Sequence, residues 1–277
     1  MADVSAKVIE DFGREWQKFA HAAVTREEEL IFEAQFAIFP WKSLPANARG
    51  FDLGCGSGRW ARHVAPRVGW LECIDPSAAA LEVARRNLGE HANCRFHLAP
   101  VEAILLPDDS ADFGYSLGVL HHVADTQAGI AACVRKLKTG APLLLYLYYA
   151  FDNRPRWFRR LWRASNLVRA VVSSAPNGLK LAVCELIAAF IYWPLARMAR
   201  LAENRGQMVD GWPLSDYRAR SFYMMRNDAL DRFGTRVEKR FTQAEIRDMM
   251  LAAGLCEIEF SPNSPYWCAV GRKQANG

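Results

Sequence analysis

The chain has 277 residues, of which 51% are hydrophobic and 12% aromatic. That composition supplies a full-sized core, held in one large domain or in one domain carrying an insertion, and excludes a disordered chain. The net charge of +5 is uneven, because residues 151–220 hold 12 Lys/Arg against 5 Asp/Glu. A uniformly basic nucleic-acid binder is thereby set aside, and one segment alone is expected to meet a phosphate, a carboxylate or a membrane surface.

Residues 1–48 carry apolar side chains at three- and four-residue steps, Val8, Phe12, Trp16 and Phe19, then Leu30, Ile31, Phe36 and Phe39. This spacing predicts a helical N-terminal cap, closed by Pro40 and Pro45. Residues 1–6 enter that pattern without a basic-then-apolar leader, so the expected location is the cytoplasm. From residue 49 strands (49–53, 69–74, 93–98, 112–117, 141–149) alternate with helices (59–66, 77–89, 126–138), the signature of a parallel sheet covered on both faces. The alternation stops at 151–235, a helical insertion. Thr242-Gln243-Ala244-Glu245 then reads as a capping box. Strands at 255–260 and 266–271 follow, joined by a turn at 261–265. The expected architecture is a doubly wound α/β domain of residues 49–150 and 236–277, with seven strands and a C-terminal antiparallel hairpin.

Within that frame, Asp52-Leu53-Gly54-Cys55-Gly56-Ser57-Gly58 places three glycines at alternate positions after the first strand. Such a turn lets a nucleoside lie against the main chain at a helix N-terminus. The second strand ends in Asp75, at the spacing of a carboxylate that accepts from two ribose hydroxyls. Asp75 is also placed to cap the helix beginning at Pro76-Ser77-Ala78. His121 and His122 follow the fourth strand at the carboxyl edge of the sheet, where ligands bind in this topology, and a histidine there can take a proton. Packing beneath a cofactor is their other role. Tyr146, Tyr148 and Tyr149 end the fifth strand at the same lip, and one of them is expected to face an acceptor. The seven cysteines are scattered, with no C-x-x-C pair and no histidine at zinc spacing, so no metal is expected.

Gly56-x-Gly58-x-x-Ala61 alone also satisfies a dinucleotide fingerprint, which leaves a nicotinamide oxidoreductase open. The Asp-x-Gly-x-Gly-x-Gly turn, the run 111–122 and the terminal strand Tyr266-Trp267-Cys268-Ala269-Val270-Gly271 together resemble class I methyltransferases that use S-adenosylmethionine. The likeness covers residues 49–150 and 241–272. It implies that Asp52 holds the cofactor's ammonium, that Gly54, Cys55, Gly56 and Gly58 lie along its methionine end, and that Ser116, Leu117 and Gly118 back the sulfonium. Asp75 and Pro76 would meet the ribose. Relatives carry an acid after the third strand for the adenine amine; this chain has Ala99-Pro100 instead, leaving Pro100, the Val101 backbone and Glu102 for the ring. The helical cap is implied to act as a lid. The Asn/Asp-Pro-Pro-aromatic run of base-amine methyltransferases is absent after the fourth strand, so nucleic acid is not the expected substrate.

The insertion opens with Arg154, Arg156, Arg159, Arg160 and Arg163 among Trp157, Phe158, Leu161 and Trp162, and continues into an apolar run at 181–196 broken only by Glu185. That run is too short to span a bilayer, for which about 20 apolar residues are needed. It reads first as a wall of a substrate pocket and second as a peripheral membrane contact through 151–200. Tyr217 and Arg220, in an aromatic and arginine-rich stretch, are candidates for gripping an acidic or ring-bearing acceptor. The function expected from the whole is methyl transfer from S-adenosylmethionine to a small amphipathic, lipid-like or secondary-metabolite acceptor, most readily at oxygen. The rivals are the oxidoreductase and a methyltransferase-like binding subunit without turnover.

Overall fold

The computed structural model describes residues 25–275 and positions 9, 10, 13 and 18. Val8, Phe12, Trp16 and Phe19 lie outside the described residues. The chain divides into two compact units, one running to Ala150 and resuming at Lys239–Gly277, the other Phe151–Glu238.

The first unit begins with helix α1 (Arg26–Gln35), where the Thr25 side chain accepts from Glu28 N and three glutamates occupy the positive end of the helix dipole. Its buried Phe32 and Phe36 join Phe39 in an aromatic run that reaches the sheet, with Phe36 5.3 Å from Tyr115 and Phe39 5.9 Å from Phe113 between centroids. The sheet strands are β1 (Arg49–Leu53), β2 (Trp70–Asp75), β3 (Cys94–Leu98), β4 (Phe113–Leu117), β5 (Pro142–Tyr146), β6 (Leu255–Phe260) and β7 (Cys268–Lys273). Their order is β3-β2-β1-β4-β5-β7-β6. The first five run parallel, while β7 pairs antiparallel with both β5 and β6.

Helices α2 (Ala61–Val64), α3 (Ala78–Asn87) and α4 (Thr126–Lys136) connect the parallel strands. One core cluster packs Phe32, Leu71, Leu81 and Phe113 on the α1/α3 side of the sheet. A second packs Ile74, Ile130, Leu145 and Met250 on the other. Two burial layers on a mostly parallel sheet are what a near-continuous apolar strand such as β4, buried at every position, requires. Asp112 starts β4 by accepting from Arg49 N at 2.8 Å and from Lys138 Nζ at 2.7 Å, a structural tie between strands.

The second unit is helical: α5 (Arg156–Ser174), α6 (Asn177–Ile187), a π turn (Ala188–Tyr192), α7 (Trp193–Glu203) and α8 (Phe222–Gly234). It runs three residues past the boundary expected at 235. Arg169 Nη1 donates to the Thr235 and Arg236 carbonyls and Arg232 pairs with the buried Glu238 at 2.7 Å, which fastens 235–238 to these helices. Through the π turn, Asn177–Glu203 is a single 27-residue helix, long and apolar enough by length and composition to cross a membrane. The shorter run read from the sequence ended where charged residues resume; the backbone does not. Glu185, the acid that breaks the apolar run at 181–196, is held by Arg226 of α8 through two hydrogen bonds of 2.5 and 2.7 Å. The last helix of the first unit, α9 (Gln243–Ala252), opens with the expected capping box, Thr242 and Glu245 bonding each other's backbone N–H.

Candidate cofactor and acceptor site

The glycine turn leaves β1 with positive φ at Gly54 (78°), Gly56 (53°) and Gly58 (76°). It is sewn to β2, since Gly54 N and Cys55 N both donate to the Ile74 carbonyl, at 2.7 and 3.1 Å. At Gly54 the left-handed backbone and the neighbouring side chain act together: a Cβ there would stand 2.3 Å from Val119 Cγ2. Only glycine fits.

Asp75, at the end of β2, turns its carboxylate back over this turn. Oδ2 accepts from Gly56 N and Oδ1 from Ser77 N, each at 2.9 Å, while Ser77 itself caps α3. Each oxygen keeps a further acceptor site for a hydroxyl. Burial raises the Asp75 carboxyl to about 6, against the pull of those two N–H donors. Asp52 is more extreme. It is 1% exposed, and burial raises it to about 8, opposed by the nearby Tyr115 hydroxyl and reinforced by Asp75. Neither Asp52 Oδ2 nor the Tyr115 hydroxyl closes a hydrogen bond of good geometry.

A cationic ligand group beside Asp52 favours its carboxylate, so binding of S-adenosylhomocysteine near pH 7 should release a proton, and affinity should rise with pH towards about 8. Calorimetry in buffers of different ionisation enthalpy measures this, and Asp52→Asn should abolish the buffer dependence. The sign for the ligand-free protein is opposite. A carboxyl whose folded pKa is raised is more protonated in the fold than in the unfolded chain, so its contribution favours the fold at low pH and declines as pH rises towards about 8.

On the other side of the turn, Ser116 Oγ donates to the Leu53 carbonyl at 2.9 Å, tying the carboxyl ends of β1 and β4. Leu117 is nearly buried. Gly118 follows with φ 79°, and a Cβ there would meet nothing within 4 Å, so the end of β4 faces open space. Where relatives place an acid, Pro100 precedes a 3-10 turn (Val101–Ala103) whose Val101 side chain is buried and whose Glu102 is exposed. Glu28 of α1, 3% exposed, reaches the far end of the turn, with Arg59 at 3.7 Å, Arg62 at 3.8 Å and His63 at 3.2 Å.

The histidine pair and the tyrosines converge at the lip. His121 is wholly buried, its ring stacked on Tyr148 at 3.7 Å, and His122 lies 4.1 Å from it and edge-on to Tyr148 at 5.8 Å. Burial, then His122 and Arg240, hold His121 well below the usual imidazole range. It stays neutral at pH 7. Tyr146 and Tyr148 are 5.8 Å apart with Leu147 turned into the core between them, whereas Tyr149 packs against Tyr266 at 5.5 Å. Tyr148 thus meets both histidine rings.

Arg240 and Lys239 carry no signal in the sequence, yet they close this cluster from the returning segment. The Arg240 guanidinium lies 5.0 Å from the Tyr148 ring, Lys239 N donates to the His121 carbonyl at 3.0 Å, and Lys239 Nζ donates to the Ala124 carbonyl at 2.6 Å. Tyr217 and Arg220 belong to the second unit. They meet at Asp228: Arg220 pairs with it at 3.6 Å and stands 5.2 Å from the Tyr217 ring, while burial and then the nearby Asp228 carboxylate hold the Tyr217 hydroxyl well above its usual range.

An adenosyl amino acid fits the first unit. Asp75 keeps acceptor sites for vicinal hydroxyls, buried Asp52 presents an unmatched oxygen to a cation, and the backbone opens at Gly118. A purely parallel dinucleotide-binding sheet has no reversed pair at its end, whereas β7 inserted antiparallel between β5 and β6 is the class I methyltransferase arrangement. Residues 51–145 match the family model described as a methyltransferase domain. The first unit is therefore a class I S-adenosylmethionine-dependent methyltransferase domain. The chain is 28% identical over 158 residues to a ubiquinone biosynthesis O-methyltransferase of Hahella chejuensis, covering 55% of this chain and 63% of that protein. It is 30% identical over 100 residues to phosphoethanolamine N-methyltransferase 2 of Caenorhabditis elegans, covering 35% and 23%. These alignments thus span under two thirds of either relative. A S-adenosylmethionine-dependent methyltransferase from Thermotoga maritima superposes with a TM-score of 0.50 at 15% identity, over 96% of this chain and all of that one, and shares the fold.

Proposed function

We propose that this chain moves a methyl group from S-adenosylmethionine to an oxygen of a small amphipathic or lipid-like acceptor. The observation that carries the reading is the grouping of His122, His121, Tyr148 and Tyr146 beside the open backbone of Gly118, a proton acceptor and aromatic walls at the carboxyl ends of β4 and β5. O-methyltransferases recur among the relatives. Bound S-adenosylmethionine supplies a methyl already activated by its sulfonium. The residues then have three tasks. Asp52, Asp75 and the glycine turn fix the donor, Tyr146 and Tyr148 align a flat acceptor and exclude water, and His122 takes the hydroxyl proton. His121, itself stacked on Tyr148, packs beside that ring.

Incubation with methyl-labelled S-adenosylmethionine and a panel of amphipathic phenols, long-chain carboxylic acids and amines tests the acceptor class. Label is expected on a phenol or acid. Label on amines alone would refute oxygen transfer, and no label from a protein that binds the cofactor would favour the silent binding subunit.

A further inference from the structure

On α5 the apolar side chains Trp157, Leu161, Val168 and Val171 fall within about 40° of one line at about 100° per residue. They are 53%, 52%, 48% and 74% exposed, too open for a helix face that the fold itself covers. Along one border of this stripe run Arg156, Arg160 and Arg163, at i, i+4 and i+7, all exposed and without an ion-pair partner among the described residues. The helix contains no acidic residue.

The long helix of the same unit leaves a second apolar row bare. Cys184, Ala188, Tyr192 and Ala196 are buried at successive four-residue steps. On a regular α-helix, twelve residues would carry Ala196 about 120° away from Cys184. The π turn absorbs one residue and brings the drift down to about 20°, so the buried line stays buried and the opposite row stays out. That outer row includes Leu186 (55%), Phe190 (74%), Met198 (55%) and Leu201 (55%).

We infer that the second unit docks on an anionic lipid bilayer, with α5 lying in the interface: its apolar stripe enters the acyl boundary and the Arg156–Arg160–Arg163 row meets the headgroups. Charge complementarity selects this occupant. Unpaired arginines bordering a tryptophan- and leucine-bearing stripe match a negative headgroup layer above hydrocarbon, and a protein partner would need a matching acidic rim. The surface is independent of which atom the enzyme methylates.

The test is sedimentation of the full chain with phosphatidylcholine vesicles, with and without phosphatidylglycerol. Binding is expected with the anionic vesicles only, falling as salt rises. Arg156→Gln, Arg160→Gln and Arg163→Gln combined should weaken it by about 100-fold, at roughly tenfold or less per basic residue. Leu161→Ser, Val168→Ser and Val171→Ser combined should abolish it, with unchanged circular dichroism and melting temperature in both variants. Absence of binding to anionic vesicles by the folded protein would overturn the inference, as would binding that neither variant alters. A dimer in light scattering that the serine variant splits would assign the face to a second copy instead and equally overturn it.

Discussion

Replacing His122 with alanine should lower turnover by about 10²–10⁴-fold while leaving affinity for S-adenosylhomocysteine nearly unchanged, if its imidazole removes the acceptor's proton. The structure separates the two histidines. His121 has no exposed surface, is stacked face to face on Tyr148 and is kept neutral by its surroundings, whereas His122 is 7% exposed. His121→Ala should therefore act through packing, loosening Tyr148 and raising KM more than it lowers kcat. Full turnover in both single variants and in the double variant would leave alignment alone as the source of acceleration.

The second large effect is expected at Asp75. Asp75→Ala should weaken S-adenosylhomocysteine binding by about 1.5–3 kcal/mol, the range for hydrogen bonds to a charged group and more than tenfold in Kd. The same carboxylate also holds Gly56 N and Ser77 N, so part of the loss comes from a looser glycine turn. The ligand-free fold loses less, because removing Asp75 also removes a carboxylate whose burial is unfavourable. Calorimetry for affinity and thermal melting without ligand distinguish the two. Binding of NAD with no response to S-adenosylhomocysteine would reverse the assignment of the site.

How far these features could be read from sequence depends on how local their causes are. The alternate glycines, Asp75 and the capping box at Thr242 are local patterns, and the elements of the sheet unit stand within a residue or two of their expected bounds, save the fifth strand, which ends at Tyr146 rather than 149. The antiparallel hairpin was legible because two strand-like runs flank a Pro-rich turn near the C-terminus. By contrast, Arg240 reaches Tyr148 only because the returning segment crosses the lip, and no spacing announces a contact across an insertion. The π turn was hidden by uniform apolarity: in a run where nearly every residue is hydrophobic, the phase of burial is invisible. Asp228, which lies beside both Tyr217 and Arg220, sits on the following helix, where no local spacing announces it. The direction of Tyr149 was not set by strand alternation, because β5 ends at Tyr146.

The way the chain leaves and rejoins the methyltransferase sheet bears on how such enzymes diversify. Tyr149 and Phe241 form a parallel bridge, and Ala150 N donates to the Phe241 carbonyl at 2.8 Å, so departure and return are stitched side by side. Adjacent ends make the 88 residues of Phe151–Glu238 a cassette, since exchanging one closed module for another at such a junction need not move the flanking strands. Exchange at Ala150 and Lys239 would thus replace one closed module by another while His122 and Asp75 keep their places in the sheet unit.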